Sequence, residues 1–143
     1  SIQFNLLYKK ISKLNLILME SEDEEIEVVV TGYYPDNSKM EGGYKDCVGN
    51  PLKTYSDYER GSENNSHVSL AVDPKVIKLG SLVNIEGFVD DDEVPVLFYA
   101  CDVGGDIKGK HVDVCCKDDD EAKDIDSNGK TRKLKIIGFQ KLK

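Results

Sequence analysis

The 143-residue chain contains no tryptophan and only four cysteines, Cys47, Cys101, Cys115 and Cys116. These cysteines are too few and too irregularly spaced for a disulfide framework, and they do not form the C-x-x-C pairs typical of a zinc site. Unpaired cysteine is among the most frequently buried residue types. We therefore expect buried free thiols.

Long apolar runs are also missing. No stretch approaches the roughly 20 residues that a transmembrane helix needs, and the N-terminus has neither the basic start nor the cleavage site of a signal peptide. The chain begins at Ser1, and we expect it to be a domain cut from a larger protein. Missing targeting signals then say nothing about its destination.

Basic residues are in deficit. There are 19 Lys and Arg against 27 Asp and Glu, which gives a formal net charge of -8. Affinity for nucleic acid comes largely from basic side chains that displace counterions, and anionic membranes also attract basic segments. We therefore expect neither nucleic acid nor a membrane as a partner.

From Ile26 onward, short β-type runs alternate with Gly, Pro, Asn and Asp. The six candidate strands are residues 26–34, 67–72, 82–88, 95–101, 111–116 and 133–140. Six short strands with little helix signal predict an all-β fold, either a small barrel or a sandwich. Residues 35–66 are rich in Gly, Asn, Ser and Tyr, and loops of that length are usually functional or mobile.

The first nineteen residues alternate between apolar and polar, which favours two strands joined by a turn. The apolar positions of this alternation are Ile2, Phe4, Leu6, Leu14, Leu16 and Leu18. An amphipathic helix is the alternative, because Leu6, Leu7, Ile11 and Leu14 partly satisfy helical spacing. The acidic run at residues 20–25 indicates a solvated linker. We divide the chain into an N-terminal β arm with its linker, residues 1–25, and one domain, residues 26–143.

Two acidic segments raise the question of a metal site. Asp124, Asp126, Asn128 and Gly129 match the opening of a calcium-binding EF-hand loop, but Lys135 stands where the bidentate glutamate belongs. We predict a solvated turn within residues 118–129 and a hairpin tip at residues 90–93. Neither a metal nor a cofactor is expected.

A glycine-rich run lies between two candidate strands, with Asp102 before it and Asp113 after it. Asp and Gly are common turn residues, so the pattern by itself most often marks only a turn. The alternative is carboxylate chemistry, because loops held by a rigid scaffold often carry function. Strand alternation places Asp113 and Cys115 on one face and the neighbouring valines on the other.

Four segments in order resemble the 3D, or three-aspartate, domain of bacterial cell-wall proteins, which is related to the catalytic barrel of membrane-bound lytic transglycosylase A. The matching residues are Val30-Thr31-Gly32-Tyr33; Met40-Glu41-Gly42-Gly43; Ala71-Val72-Asp73-Pro74 with Ile77-Lys78-Leu79-Gly80-Ser81; and the run from Asp102-Val103-Gly104-Gly105 to Asp113. The family's three aspartates fall on Asp73, Asp102 and Asp113.

The resemblance implies a six-stranded double-psi β-barrel and lytic transglycosylase activity, the cleavage of peptidoglycan glycan strands without water. It implies that Asp113 is the acid and base and that Asp102 and Asp73 support it. Candidate substrate-binding residues are Thr31, Tyr33, Glu41, Gly104, Gly105 and Lys108. The tyrosines are candidate platforms for a sugar. An extracytoplasmic location follows, in a bacterial wall or a phage particle, with either a homodimer through the N-terminal arm or attachment to a larger parent protein.

The chain departs from the family pattern at three places. Asp106 adds a carboxylate near the proposed site, residues 90–94 form an acidic insertion, and Cys115-Cys116 replaces the usual aromatic or aliphatic pair. Two other functions stay open on the same barrel, because fold alone does not settle function. One is a non-catalytic glycan-binding or structural module, and the other is an endoglucanase-like hydrolase.

Overall fold

The computed structural model describes residues 24–35 and 43–143 and shows a closed β-barrel with one short helix. The elements are β1 (Glu25–Tyr33), β2 (Val68–Ala71), β3 (Ser81–Ile85), β4 (Phe98–Asp102), β5 (His111–Cys115), α1 (Asp119–Ile125) and β6 (Thr131–Phe139). All six predicted strands form, with ends that differ by a few residues. The prediction of an all-β barrel is confirmed.

The strands close in the order β1-β5-β2-β4-β3-β6. The pairs β1–β5 and β2–β4 are parallel, and the other four are antiparallel. Parallel neighbours require crossover connections, so the barrel cannot be a simple up-and-down meander. This mixed pairing brings the strand that carries Thr31 beside the strand that carries Asp113.

Alternating apolar residues of the strands fill the barrel. Val28 and Val30 of β1, Leu70 of β2, Phe98 of β4 and Leu134 of β6 are all fully buried. Completely burying an aliphatic or aromatic side chain of this kind contributes about 1.5–3 kcal/mol. The inward residues therefore fix which side chains of each strand face outward.

The solvated turn predicted within residues 118–129 is wrong in part, because α1 occupies Asp119–Ile125. Asp118 caps this helix by accepting a hydrogen bond from the Glu121 amide at 2.9 Å, and the Glu121 carboxylate accepts one from the Lys117 amide. Such reciprocal caps stabilise a helix start. Only Ala122 and Ile125 are buried in the helix, so its apolar pattern is too short to be recognised in sequence.

The segment from residue 43 to residue 66 contacts the barrel at several points. Backbone amides of Cys47 and Tyr55 donate to the carbonyls of Cys101 and Cys115, and Lys53 accepts from the Ser69 amide. The Tyr55 ring packs 5.8 Å from that of Phe88 and 6.4 Å from that of Phe98, centroid to centroid. This long loop is thus packed on the barrel over its described part.

The hairpin tip predicted at residues 90–93 is confirmed. Val89 and Pro95 form an antiparallel bridge across it, and the Asp90 carboxylate accepts from the amides of Asp92 and Val94. Cys101, Cys115 and Cys116 are buried free thiols, as expected, whereas Cys47 is exposed. The predicted N-terminal arm, residues 1–25, lies outside the described residues except for Glu24 and Glu25.

Candidate active site

Asp113 lies on the outer face of β5, between two residues that point into the core. Val112 and Val114 are fully buried, whereas Asp113 is partly exposed. The parallel register of β1 and β5 places Thr31 directly beside it. The Thr31 hydroxyl is 3.0 Å from Oδ1 of Asp113, so the two side chains form a hydrogen-bonded pair across neighbouring strands.

Burial raises the pKa of Asp113 from its ordinary 3.8 to about 6. The hydrogen bond from Thr31 and the charge of His111 act in the opposite direction, and the negative charges of Asp126 and Asp102 raise the pKa further. Desolvation penalises the charged form of a carboxyl group most. Asp113 can therefore carry a proton at mildly acidic pH and give it up near neutrality.

Asp102 ends β4 and faces the same side of the barrel. Ala71 of β2 is in register with both Asp102 and Asp113, so a single small residue separates the two carboxylates across the sheet. The Tyr33 hydroxyl donates to Oδ2 of Asp102 at 3.1 Å. Burial also raises the pKa of Asp102, and this hydrogen bond limits the rise.

Asp73 holds the glycine-rich loop. Its Oδ2 accepts from the Gly109 amide at 2.8 Å, and its Oδ1 accepts from the Lys75 amide at 3.0 Å. These two hydrogen bonds lower the pKa of Asp73, and the charge of Lys108 lowers it further. Gly109 has a φ of 69°, a left-handed conformation that glycine adopts without strain. Asp73 thus fixes the loop that leads into β5.

The family model of the 3D domain matches residues 68–137, about half of the chain, and this span holds all three aspartates. The chain contains a 3D domain. Such domains belong to the family of barrels like that of membrane-bound lytic transglycosylase A, so the resemblance seen in the sequence is confirmed. No curated protein matches the chain.

The 3D-domain match points to a family of enzymes that act on the cell wall and resemble peptidoglycan lytic transglycosylases. It begins at β2, and β1 with Thr31 and Tyr33 lies outside it. Yet β1 closes the barrel between β5 and β6 and supplies the hydrogen bonds to both outer carboxylates. The site is therefore built from the matched segment and from one strand that precedes it.

Three other predicted site residues, Gly104, Gly105 and Lys108, lie in the loop between β4 and β5. Gly104 and Gly105 form the turn after β4, and a Cβ on Gly105 would meet no atom within 4 Å. Lys108 is exposed in the same loop. The loop thus leaves open space at Gly105. Glu41 lies outside the described residues.

The five tyrosines that precede β2 in the described part of the chain fall into three groups. Tyr34 and Tyr44 are exposed, with 42% and 56% of their surface accessible, and can meet a ligand. Tyr55 and Tyr58 are partly buried and pack against the core. Tyr33, the remaining candidate, donates a hydrogen bond from its hydroxyl group to Asp102.

His111 is a member of the site that the sequence interpretation missed. Its Nε2 lies 2.7 Å from the Thr31 hydroxyl oxygen, so His111, Thr31 and Asp113 form one connected group. The signal was present in the strand alternation, because His111 stands two residues before Asp113 and faces the same side. Asp126 is a second omission; its charge acts on Asp113 from beyond α1. Asp106, the carboxylate that the sequence analysis placed near the site, is exposed in the loop.

Within residues 24–35 and 43–143, no cluster of His, Cys, Asp and Glu side chains is arranged to hold a metal ion. No helix in this part of the chain has the length and apolar character to cross a membrane. A pocket of about 410 Å³ lies elsewhere, lined by Tyr58, Arg60, Leu97 and Ile137 among others, and none of the three aspartates borders it. Asp102 and Asp113 are partly exposed on the outer side of the barrel, and Asp73 is buried.

Proposed function

We propose that this chain is a peptidoglycan lytic transglycosylase that cleaves the β-1,4 bond between N-acetylmuramic acid and N-acetylglucosamine. The observation that carries the proposal is Asp113, a partly buried carboxyl group with a pKa raised to about 6 and an oriented hydrogen bond at Oδ1. A single group that must act first as acid and then as base needs a pKa close to the working pH. The 3D-domain match supports the same class of substrate.

In the first step, protonated Asp113 transfers its proton to the glycosidic oxygen. The bond between that oxygen and the anomeric carbon of the muramic acid then breaks. Thr31 donates to Oδ1, so Oδ2 is the oxygen suited to carry the proton. The Thr31 hydroxyl stabilises the carboxylate that this step creates. Hydrogen-bond donors that already point at a developing charge lower the reorganisation energy of the reaction.

In the second step, the Asp113 carboxylate accepts the proton of the sugar's own 6-hydroxyl, and the 6-oxygen bonds to the anomeric carbon. The product is a 1,6-anhydro sugar, and Asp113 is protonated again. No water is consumed, and the protons and bonds balance over the two steps. An ordinary glycosidase needs a second carboxylate acting on water or as a nucleophile.

Asp102 supports this reaction through its charge. It lies across Ala71 from Asp113, and Tyr33 holds its carboxylate in place. The transition state of glycoside cleavage has oxocarbenium character, so a nearby negative charge stabilises it. Asp73 acts further away by holding the 104–109 loop, whose open face at Gly105 leaves space for a glycan strand.

Asp102 and Asp113 are partly exposed on the outer side of the barrel, where a long polymer can reach them. We propose glycan strands as the partner and an extracytoplasmic place of action, in a bacterial wall or on a phage particle. Attachment to a larger parent protein or dimerisation through the N-terminal arm also belongs to the proposal. The substrate itself demands this location, because peptidoglycan lies outside the cytoplasm.

The test is mass spectrometry of the soluble products after purified peptidoglycan is incubated with the protein or with Asp113→Asn. We expect anhydro-muropeptides from the wild type and a loss of at least about a hundredfold in the variant, the usual range for general acid–base groups. Asp106→Asn is the matched control, because it removes an exposed carboxylate from the loop that precedes β5. It should keep full activity.

Products heavier by one water would contradict the proposal and identify a hydrolase. Retention of the protein on sacculi without any released product, unchanged by Asp113→Asn, would instead identify a binding module. Equal activity of wild type and Asp113→Asn would remove Asp113 from the mechanism.

A further inference from the structure

His111 reaches Asp113 through one intervening hydroxyl group. Its Nε2 is 2.7 Å from Oγ1 of Thr31, and that oxygen is 3.0 Å from Oδ1 of Asp113. Both distances lie in the range of good hydrogen bonds. The arrangement follows from the backbone, because His111 and Asp113 share a face of β5 and Thr31 is in register with Asp113.

Counting donors fixes the direction of these hydrogen bonds when Asp113 is ionised. A carboxylate only accepts, and the Thr31 hydroxyl has one proton to give. If Thr31 donates to Asp113, its oxygen is free to accept, and the group within reach is Nε2 of His111. His111 must then carry its proton on Nε2.

The Thr31 hydroxyl has a competing acceptor, the carbonyl oxygen of Val112 at 3.4 Å. A histidine with a bare Nε2 would be a third acceptor for the same proton and would draw it away from Asp113. With Nε2 protonated, the shorter contact to the charged Oδ1 is favoured over the neutral carbonyl. The state of His111 therefore decides whether Asp113 receives the hydrogen bond.

We propose that His111 is a positioning residue for Asp113, whose Nε2–H directs the Thr31 hydroxyl to Oδ1 and so stabilises the carboxylate formed when Oδ2 gives up its proton. No proton travels along this group. As charge develops on Asp113, the two hydrogen bonds strengthen together, since hydrogen bonds in a chain polarise one another. The role in catalysis rests on the proposed function, but the hydrogen-bond direction does not.

His111 also stabilises the ionised form of Asp113 through its charge. Asp102 from β4 and Asp126 from the loop after α1 both raise the pKa of Asp113, and the thiols of Cys115 and Cys116 lie near it on β5 and just beyond. The charge of His111 lowers the pKa of Asp113. Removing His111 should therefore leave Asp113 protonated to higher pH.

The first experiment needs no substrate. NMR titration of the Asp113 carboxyl group, with ¹⁵N shifts of His111, compares wild type with His111→Phe and His111→Gln. We expect Nε2 to be protonated in wild type when Asp113 is ionised. Loss of the charge should raise the pKa of Asp113 by about 0.5–1 unit in both variants. His67→Gln, at the chain's other histidine, should change nothing.

The second experiment measures activity on peptidoglycan against pH. Since Asp113 must start protonated, activity falls as pH rises through its pKa, and both variants should move this alkaline limb upward. His111→Phe should also lower kcat roughly tenfold with KM little changed, about the effect of one hydrogen bond. His111→Gln keeps a donor near Thr31 and should retain most of kcat.

A bare Nε2 in the wild type, or an Asp113 pKa unchanged in both variants, would overturn the inference. If His111→Phe does not fold, His111→Gln decides alone. If the titrations shift as expected but the wild type cleaves no glycan, the proposed function is rejected and the hydrogen-bond assignment stands. If the wild type cleaves glycan but the alkaline limb does not move in the His111 variants, the inference is rejected and the proposed function stands.

Discussion

At the residue scale, the raised pKa of Asp113 lowers the stability of the fold at neutral pH. Its pKa of about 6 in the folded chain lies above the ordinary 3.8. The folded state thus binds this proton more tightly than the unfolded state does. The contribution of Asp113 to stability is fully present below pH 3.8 and is lost as pH rises through about 6.

Asp113→Asn removes the ionisation and should therefore make the protein more stable at high pH. We expect about 1–2 kcal/mol at pH 8, once the partial exposure of the side chain is allowed for. At pH 4 the two proteins should differ little. Urea unfolding of both at the two pH values measures the effect. A variant less stable than wild type at pH 8 would show that Asp113 is not held in a desolvating site.

At the element scale, β1 serves both the site and α1. Thr31 and Tyr33 face the carboxylates, whereas Gly32 between them lies against the helix. A Cβ on Gly32 would be 2.7 Å from Cα of Ala122 and 3.0 Å from Sγ of Cys116. Glycine at this position thus permits the close packing of α1 on β1.

Gly32→Ala should destabilise the protein by about 1–3 kcal/mol, the usual effect of overpacking, because backbone atoms of α1 have to move. Thermal unfolding measures the loss, and amide exchange in α1 shows where it occurs. Gly105→Ala is the matched control, since its Cβ would meet nothing within 4 Å. Equal stability of the two variants would contradict close packing of α1 against Gly32.

At the scale of the whole molecule, closure of the barrel depends on β1. It pairs with β5 on one side and with β6 on the other. Without β1, both neighbours would present unpaired strand edges, which expose backbone polar groups and favour aggregation. The matched segment, residues 68–137, also ends before β6 is complete.

We therefore expect a fragment of residues 68–137 to be unfolded or aggregated, and a fragment of residues 24–143 to unfold cooperatively. Circular dichroism with thermal and urea unfolding distinguishes the two. Cooperative folding of the shorter fragment would show that the barrel does not need β1. Failure of the longer one would contradict the domain boundary predicted at residue 26.

Local pattern was enough to find the strands and two site carboxylates. Alternation at Val112, Asp113 and Val114 separates the inner from the outer face, and the glycines after Asp102 indicate the turn, because side-chain period and turn geometry are set by neighbouring residues. The resemblance added the third aspartate and the chemistry that the family implies. Helix α1 escaped detection because two buried residues make too weak a periodic signal.

The sequence by itself determined the six-stranded all-β character of this protein and the outward position of Asp113. Only the tertiary structure decided that Thr31 and His111 meet at that carboxylate, that Tyr33 binds Asp102, and that Asp73 holds Gly109. These contacts join residues that are far apart in the chain. Their distances depend on which strands pair and in what register, and burial by the closed barrel then sets the pKa of Asp113.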